Sequence, residues 1–431
     1  MKNLLLSLFI CLVVITVGFL LSWKGIPNQE GYFEAAWKLS HLDFSKSLLD
    51  PSVTPLNFLV STLIERSLHI SLTNAWKLMD LFFCGLIVVF FTNLYIKSSR
   101  SNFSFQFFVP LIISLSSLGF IYSFTSASGE GMPIFFSVVG VYLWQKRSFV
   151  PANLLFILAL LSKYTFYLIA PGIFLWTLFN FKTFTKKDIQ NMFFGISLLV
   201  SILVLYHGIK HWEEIKLQLR YVNNTSPLIF INNFAIYLFA ALLGAPLLLL
   251  FTFLNPQINN LFLLTAISSM LILSRRYFYW NHVQQIVSFL LLFLFTHPKA
   301  REFLQLRSVA LQVLFTFIII IFLPITAGSF TLFPKQLTIY ESQAVDREIM
   351  KDFHGGNIGY YLNRRFDEPF PNYEISYMDP SWDFVMDDTE YVVLPLPGIP
   401  RQLTSFKQCQ YIFHQQVGTN SIYKVMCSKK K

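Results

Sequence analysis

Residues 149–179 read FVPANLLFILALLSKYTFYLIAPGIFLWTLF, an apolar run with a single charge, Lys163, at its middle. Lys146 and Arg147 precede the run, and Lys182, Lys186 and Lys187 follow it. Basic loops beside apolar segments favour the cytoplasmic side, so both ends of the run are expected there. Each half has only about 15 residues, short of the roughly 20 that cross a hydrocarbon core as a helix. The reading that satisfies both constraints is two short helices meeting at membrane depth, with Lys163 near their junction.

The composition around this stretch sets the class. Hydrophobic residues make up 54% of the chain and charged residues 13%, with 48 Phe; a soluble domain carries about 25% charged residues. The apolar residues cluster into runs longer than soluble core helices need. An α-helical polytopic membrane protein is expected, crossing the bilayer about ten or eleven times. The net charge of +10 resides mainly in short loops beside apolar segments, where it orients helices or meets anionic headgroups. No soluble face interleaves bases with aromatics, which sets nucleic acid aside as a partner.

Leu4 to Leu21 reads as a retained first span with a cytoplasmic N-terminus, because its apolar stretch exceeds a signal h-region and no small-x-small cleavage site follows. A polar first loop, residues 23–71, is expected outside the cytoplasm, and Thr73 to Tyr95 as the next span. Further spans are expected over Phe105 to Phe124, from Met132 to Lys146, over Asn191 to Tyr206, Ile236 to Leu254, Leu261 to Ser274, His282 to Phe295 and Val309 to Phe330. Asn255 to Asn260 is the one expected cytoplasmic loop without charge. Residues 1–334 thus form a transmembrane domain, and 335–431 a small soluble α/β domain outside the cytoplasm. In that domain Ser342 to Phe353 and Asn357 to Phe366 are expected as helices. Glu374 to Met378, Glu390 to Leu394 and a final hairpin alternate like strands. Centring the hairpin on Gly418 puts Cys409 opposite Cys427, a disulfide candidate in an oxidising compartment; two unpaired thiols remain the alternative. Cys11 and Cys84 read as small core hydrophobes.

Buried polar groups are expensive in a membrane, so they point to chemistry. Four places stand out. Glu30 and Glu34 follow the first span and share a helical face if that stretch is helical. Glu130 lies between Gly129 and Gly131, where flanking glycines allow a close backbone approach or simply make a turn. Lys163 is a cation at bilayer depth without a partner evident in the sequence, a charge that an anionic headgroup would satisfy; snorkelling to the interface is the structural alternative. Arg275 and Arg276, followed by Tyr277, suit a phosphate at the outer interface, though helix anchoring also accounts for them.

The order of these places resembles the GT-C superfamily of membrane glycosyltransferases, especially its protein O-mannosyltransferase and aminoarabinose transferase branch. The resemblance runs from Met1 to about Pro298 and includes Asp50-Pro51-x-x-x-Pro55 in the first loop. It implies transfer of a sugar from a polyprenyl-phosphate donor to a lipid, glycan or protein acceptor outside the cytoplasm. The family's first-loop Asp-Glu stands here as Gln29-Glu30, so Glu30 alone carries that match. By the resemblance Glu30 is the base, and Glu34 and Glu130 orient acceptor or sugar. Lys163 matches a Ser-Lys element and Arg276-Tyr277 a late Arg-Tyr element; with Arg275 they would hold the donor phosphate. Direct attack would invert the anomeric centre. No cofactor and no metal are expected. A transporter or flippase of a lipid-linked sugar, or a non-catalytic scaffold derived from such enzymes, stays open beside the enzyme reading.

Overall fold

The computed structural model describes residues 2–21, 55–70, 72–99, 108–117, 120, 129–163, 166–203, 227–275 without 245, 256 and 258, 280–304, 308–316 and 318. Nearer the C-terminus it describes parts of 344–352 and the strands at 357–360, 374–377, 389–394, 409–417 and 420–427. The chain is mostly helical, with one small sheet at its C-terminal end.

The helices are α1 (Lys2–Leu21), α2 (Pro55–Leu68), α3 (Leu72–Ser99), α4 (Val109–Leu115), α5 (Gly131–Gln145), α6 (Phe149–Ser162) and α7 (Phe166–Asn180). They continue as α8 (Lys186–Leu203), α9 (Pro227–Gly244), α10 (Pro246–Leu254), α11 (Leu261–Leu273) and α12 (Trp280–Thr296). Among the described residues one helix, Asn74–Lys97 within α3, is by itself long and apolar enough to cross a membrane. The halves of the run that opened the sequence reading are the separate helices α6 and α7, and Lys163 terminates α6 in an extended conformation. At 14 and 15 residues, each is roughly 22 Å long.

Two expectations for this part of the chain change. The first loop, read as polar throughout, contains α2; Pro55 opens it at a position where a missing N–H costs nothing. Its residues Asn57, Ser61 and Thr62 are buried, so the helix is packed into the protein. The span expected over Ile236 to Leu254 is divided between α9 and α10, with Pro246 starting the second helix. Of the expected Phe105 to Phe124 span, the described helix is α4.

Helix packing relies on close backbone approach where α7 crosses α11. A Cβ on Gly172 in α7 would fall 2.6 Å from Thr265 Cα in α11, and the Ser268 hydroxyl donates to Leu168 O across the same contact at 3.1 Å. α5 and α6 form an antiparallel hairpin, and α8 packs on α6. The α5–α6 turn places Arg147 at φ 60°.

The sheet has five strands: β1 (Asn357–Tyr360), β2 (Glu374–Tyr377), β3 (Thr389–Leu394), β4 (Cys409–Val417) and β5 (Asn420–Cys427). Their order is β2-β1-β3-β5-β4, with β1 parallel to both neighbours and β5 antiparallel to both of its own. Asn357 to Phe366, expected as a helix, begins with β1 instead. Its Asn-Ile-Gly-Tyr segment alternates, and strands on both sides supply its ladder. The final hairpin meets its expected register only on the far side of a bulge. Val417 faces Asn420 next to the turn, one residue off a centre at Gly418, and the bulge at His414 restores the expected pairing, so that Cys409 faces Cys427.

Candidate functional site

The site is the open end of the α5–α6 hairpin. Glu130 immediately precedes α5, and Lys163 immediately follows α6. Antiparallel packing of two helices of nearly equal length therefore brings together side chains 33 positions apart. Lys163 Nζ lies 2.7 Å from Glu130 Oε1. The Glu130 side chain is 1% exposed and that of Lys163 15%, so the ammonium is the accessible member of the pair. The sequence reading left Lys163 without a protein partner; the fold supplies Glu130.

The Gly129-Glu130-Gly131 segment is held from both sides. Asn57 Nδ2 of α2 donates to Gly129 O at 3.1 Å. Gly131 N donates to Asp80 Oδ1 of α3 at 2.5 Å. Glu130 O then accepts from Ile134 N, which starts α5. Both glycines are required here. Gly129 has φ +65°, and a Cβ on Gly131 would fall 2.4 Å from Asp80 O. A side chain at either position would displace the loop that carries the carboxylate.

Sequence reasoning missed Asn57, Lys77 and Asp80. Lys77 and Asp80 are both fully buried, and their i, i+3 spacing puts them on one face of α3. The Asp80 carboxylate acts electrostatically on the Lys77 ammonium. The signal that exposed Lys163, a charge inside an apolar helix, was also available at these two positions. Two cations and two anions thus occupy the buried ends of α3, α5 and α6, a formally neutral set. Burying one of them uncompensated would cost several kcal/mol.

The other expected site residues fall elsewhere. Glu30, Glu34, Arg276 and Tyr277 lie outside the described residues. Arg275 follows α11 and is exposed; near it Asn233 Nδ2 donates to Ser274 O at 3.2 Å. Tyr237 and His282 meet at 3.3 Å between α9 and α12. Cys84, buried in α3, accepts from Gln284 Nε2 of α12 at 3.2 Å. Compared with known proteins, the sequence matches no family model and no curated protein.

Proposed function

We propose that the chain is a polytopic membrane protein that transfers a sugar from a polyprenyl-phosphate donor to an extracytoplasmic acceptor. The observation that carries the reading is the Glu130–Lys163 pair at the break between α6 and α7. A buried carboxylate held by two glycines beside a more accessible ammonium is the equipment needed for a sugar on a phosphate leaving group. The membrane part rests on the surface. Large apolar side chains are exposed on most of the helices, including Leu8 and Leu12 of α1, Phe174 and Leu178 of α7, and Phe193 and Phe194 of α8. Lys77, Asp80 and Glu130 are buried meanwhile. That inverted distribution suits lipid rather than water as solvent.

In the reaction, the acceptor oxygen attacks the anomeric carbon and loses its proton to a carboxylate, the role that the GT-C resemblance gives to Glu30. The anomeric C–O bond to phosphate breaks, and its electron pair leaves with the phosphate. The lipid phosphate needs cations rather than a general acid. Lys163 meets it first, with Arg275, Arg276 and Tyr277 on the late loop. Glu130 orients Lys163 and the sugar, and Glu34 the acceptor. The scheme balances without a metal or redox group. A non-catalytic scaffold is the second reading, favoured by the same ion pair, since Glu130 satisfies Lys163 without any ligand.

The test is donor turnover by detergent-solubilised protein with a panel of radiolabelled polyprenyl-phosphate sugars and membrane extract as acceptor source. Release of label by the wild type, lost in Glu30→Gln and reduced at least a hundredfold in Lys163→Met (on the order of 3 kcal/mol), supports the enzyme. Binding of donor without turnover moves the assignment to a scaffold. Movement of intact donor across vesicles moves it to a transporter.

A further inference from the structure

The end of the α5–α6 hairpin opposite Glu130 carries a second feature. α5 has 15 residues, which separates its two ends by roughly 22 Å. At the far end the α5–α6 turn meets the connection between α7 and α8. Arg147, in its left-handed conformation, donates through Nη1 to Thr183 O at 2.8 Å and through Nη2 to Thr183 Oγ1 at 2.9 Å. Its guanidinium lies over the Phe184 ring at 5.3 Å and 3.6 Å from Asp188. Arg147 is thus a strut that fixes one turn against the other.

This strut gathers the charges. Lys146, Lys182, Lys186 and Lys187 are all exposed around it. Asp188 is the only acid in residues 145–190. It is committed to Arg147 and to the start of α8, where it accepts from Thr185 N at 2.9 Å. Four lysines therefore present a field with no opposing charge in these two connections. Beneath them lies an aromatic layer of Trp144, Trp176, Phe149, Phe181 and Phe184. Beyond that layer α7 and α8 expose Phe174, Phe193 and Phe194. Apolar flank, aromatic girdle and basic rim follow in the order in which a bilayer offers acyl chain, interface and headgroup. A nucleic acid or acidic peptide would match only the rim.

We propose that this rim binds the headgroups of anionic phospholipids, with Lys146, Lys182, Lys186 and Lys187 meeting the phosphates and Arg147 holding the rim in shape. The proposal rests on the membrane part of the reading above and not on the transferase part. Each cation near an anionic surface strengthens attachment about fivefold, so removing three weakens it roughly a hundredfold.

The experiment measures thermal unfolding of the full chain in detergent micelles while phosphatidylglycerol or phosphatidylcholine is titrated in. Three proteins are compared: wild type, Lys182→Gln/Lys186→Gln/Lys187→Gln, and the same three positions changed to Arg. Phosphatidylglycerol is expected to raise the wild-type midpoint well beyond phosphatidylcholine. The Gln variant loses that difference and the Arg variant keeps it. Raising salt to about 1 M, where screening acts over about 3 Å, abolishes it in the wild type, so one readout needs no mutant. Equal responses of the wild type to the two lipids, or a Gln variant that keeps the preference, would overturn the proposal alone. A chain that stays monodisperse without detergent would overturn both the proposal and the membrane reading.

Discussion

At the scale of single residues, the Glu130–Lys163 pair decides what can be learned by mutation. Removing one member of a buried pair leaves the other uncompensated, at about 3–5 kcal/mol, whereas replacing both with apolar groups is often neutral. Glu130→Gln and Lys163→Met should each lower the thermal midpoint in detergent. Glu130→Leu/Lys163→Met should recover most of that loss while remaining without donor turnover. A double variant as unstable as the singles would mean that the two groups do not hold each other. Lys163 was legible in the sequence because a charge among apolar residues is conspicuous, and Glu130 because glycines flank it. Their meeting was not legible, since it depends on the packing of two intervening helices. Lys77 and Asp80 escaped for a local reason. Starting the span at Thr73 puts both in its first turns, where charges ordinarily reach water; the fold covers those turns with α2 and the Gly-Glu-Gly loop.

Among the elements, the start of α8 offers a pH-dependent test. Asp188 accepts from Thr185 N, and Asp188 N donates to the Thr185 hydroxyl at 3.1 Å, a reciprocal cap. The Thr185 backbone N–H first, then its hydroxyl, hold the Asp188 carboxyl below its ordinary 3.8, and Arg147 adds to them. A carboxylate whose folded value is depressed favours the folded state above the unfolded value, and that contribution fades as pH falls through the folded value. Asp188→Asn should therefore lower the thermal midpoint at pH near 7, and the gap to wild type should close as pH falls below the ordinary 3.8 and through the depressed folded value. A gap independent of pH would remove the charge from the explanation. The legibility of elements followed how local their causes are. The α6–α7 break showed through its central Lys, and the β4–β5 register through its turn and the spacing of its two cysteines. β1 did not show, because Asn357 to Tyr360 takes its ladder from β2 and β3, which lie further along the chain. The uncharged Asn255 to Asn260 connection has a local account as well. Asn260 Oδ1 caps α11 by accepting from Phe262 N at 2.9 Å, and Gln257 meets His297 at 3.0 Å, so polar contacts anchor it without charge. Burial first, and then the Lys299 charge, push the His297 imidazole below its ordinary value.

For the whole molecule, the question is which solvent it is built for. In water, the exposed Leu8, Phe174, Phe194, Phe239 and Phe253 side chains would each forfeit about 1.5–3 kcal/mol relative to burial. Their distribution over helices from α1 to α10 rules out one small patch. In lipid the same surface costs nothing, and the buried charges at the open end of the hairpin become the costly feature that needs a reason. The short helices fit this view only in combination. α6 and α7 are each roughly 22 Å long, less than the about 30 Å of a hydrocarbon core. On the membrane reading proposed above, a break at Lys163 with both outer ends basic would let the two helices dip from one side as a re-entrant pair. If so, the chain should remain with membranes through alkaline carbonate washing and leave them only with detergent. A cysteine placed at Gln145 and one placed at Ser428 should then react with an impermeant thiol reagent from opposite sides of sealed vesicles. Labelling of both from one side would place the basic rim and the sheet on the same face. The GT-C-like topology would then fail, even if the chain proved to be membrane-embedded.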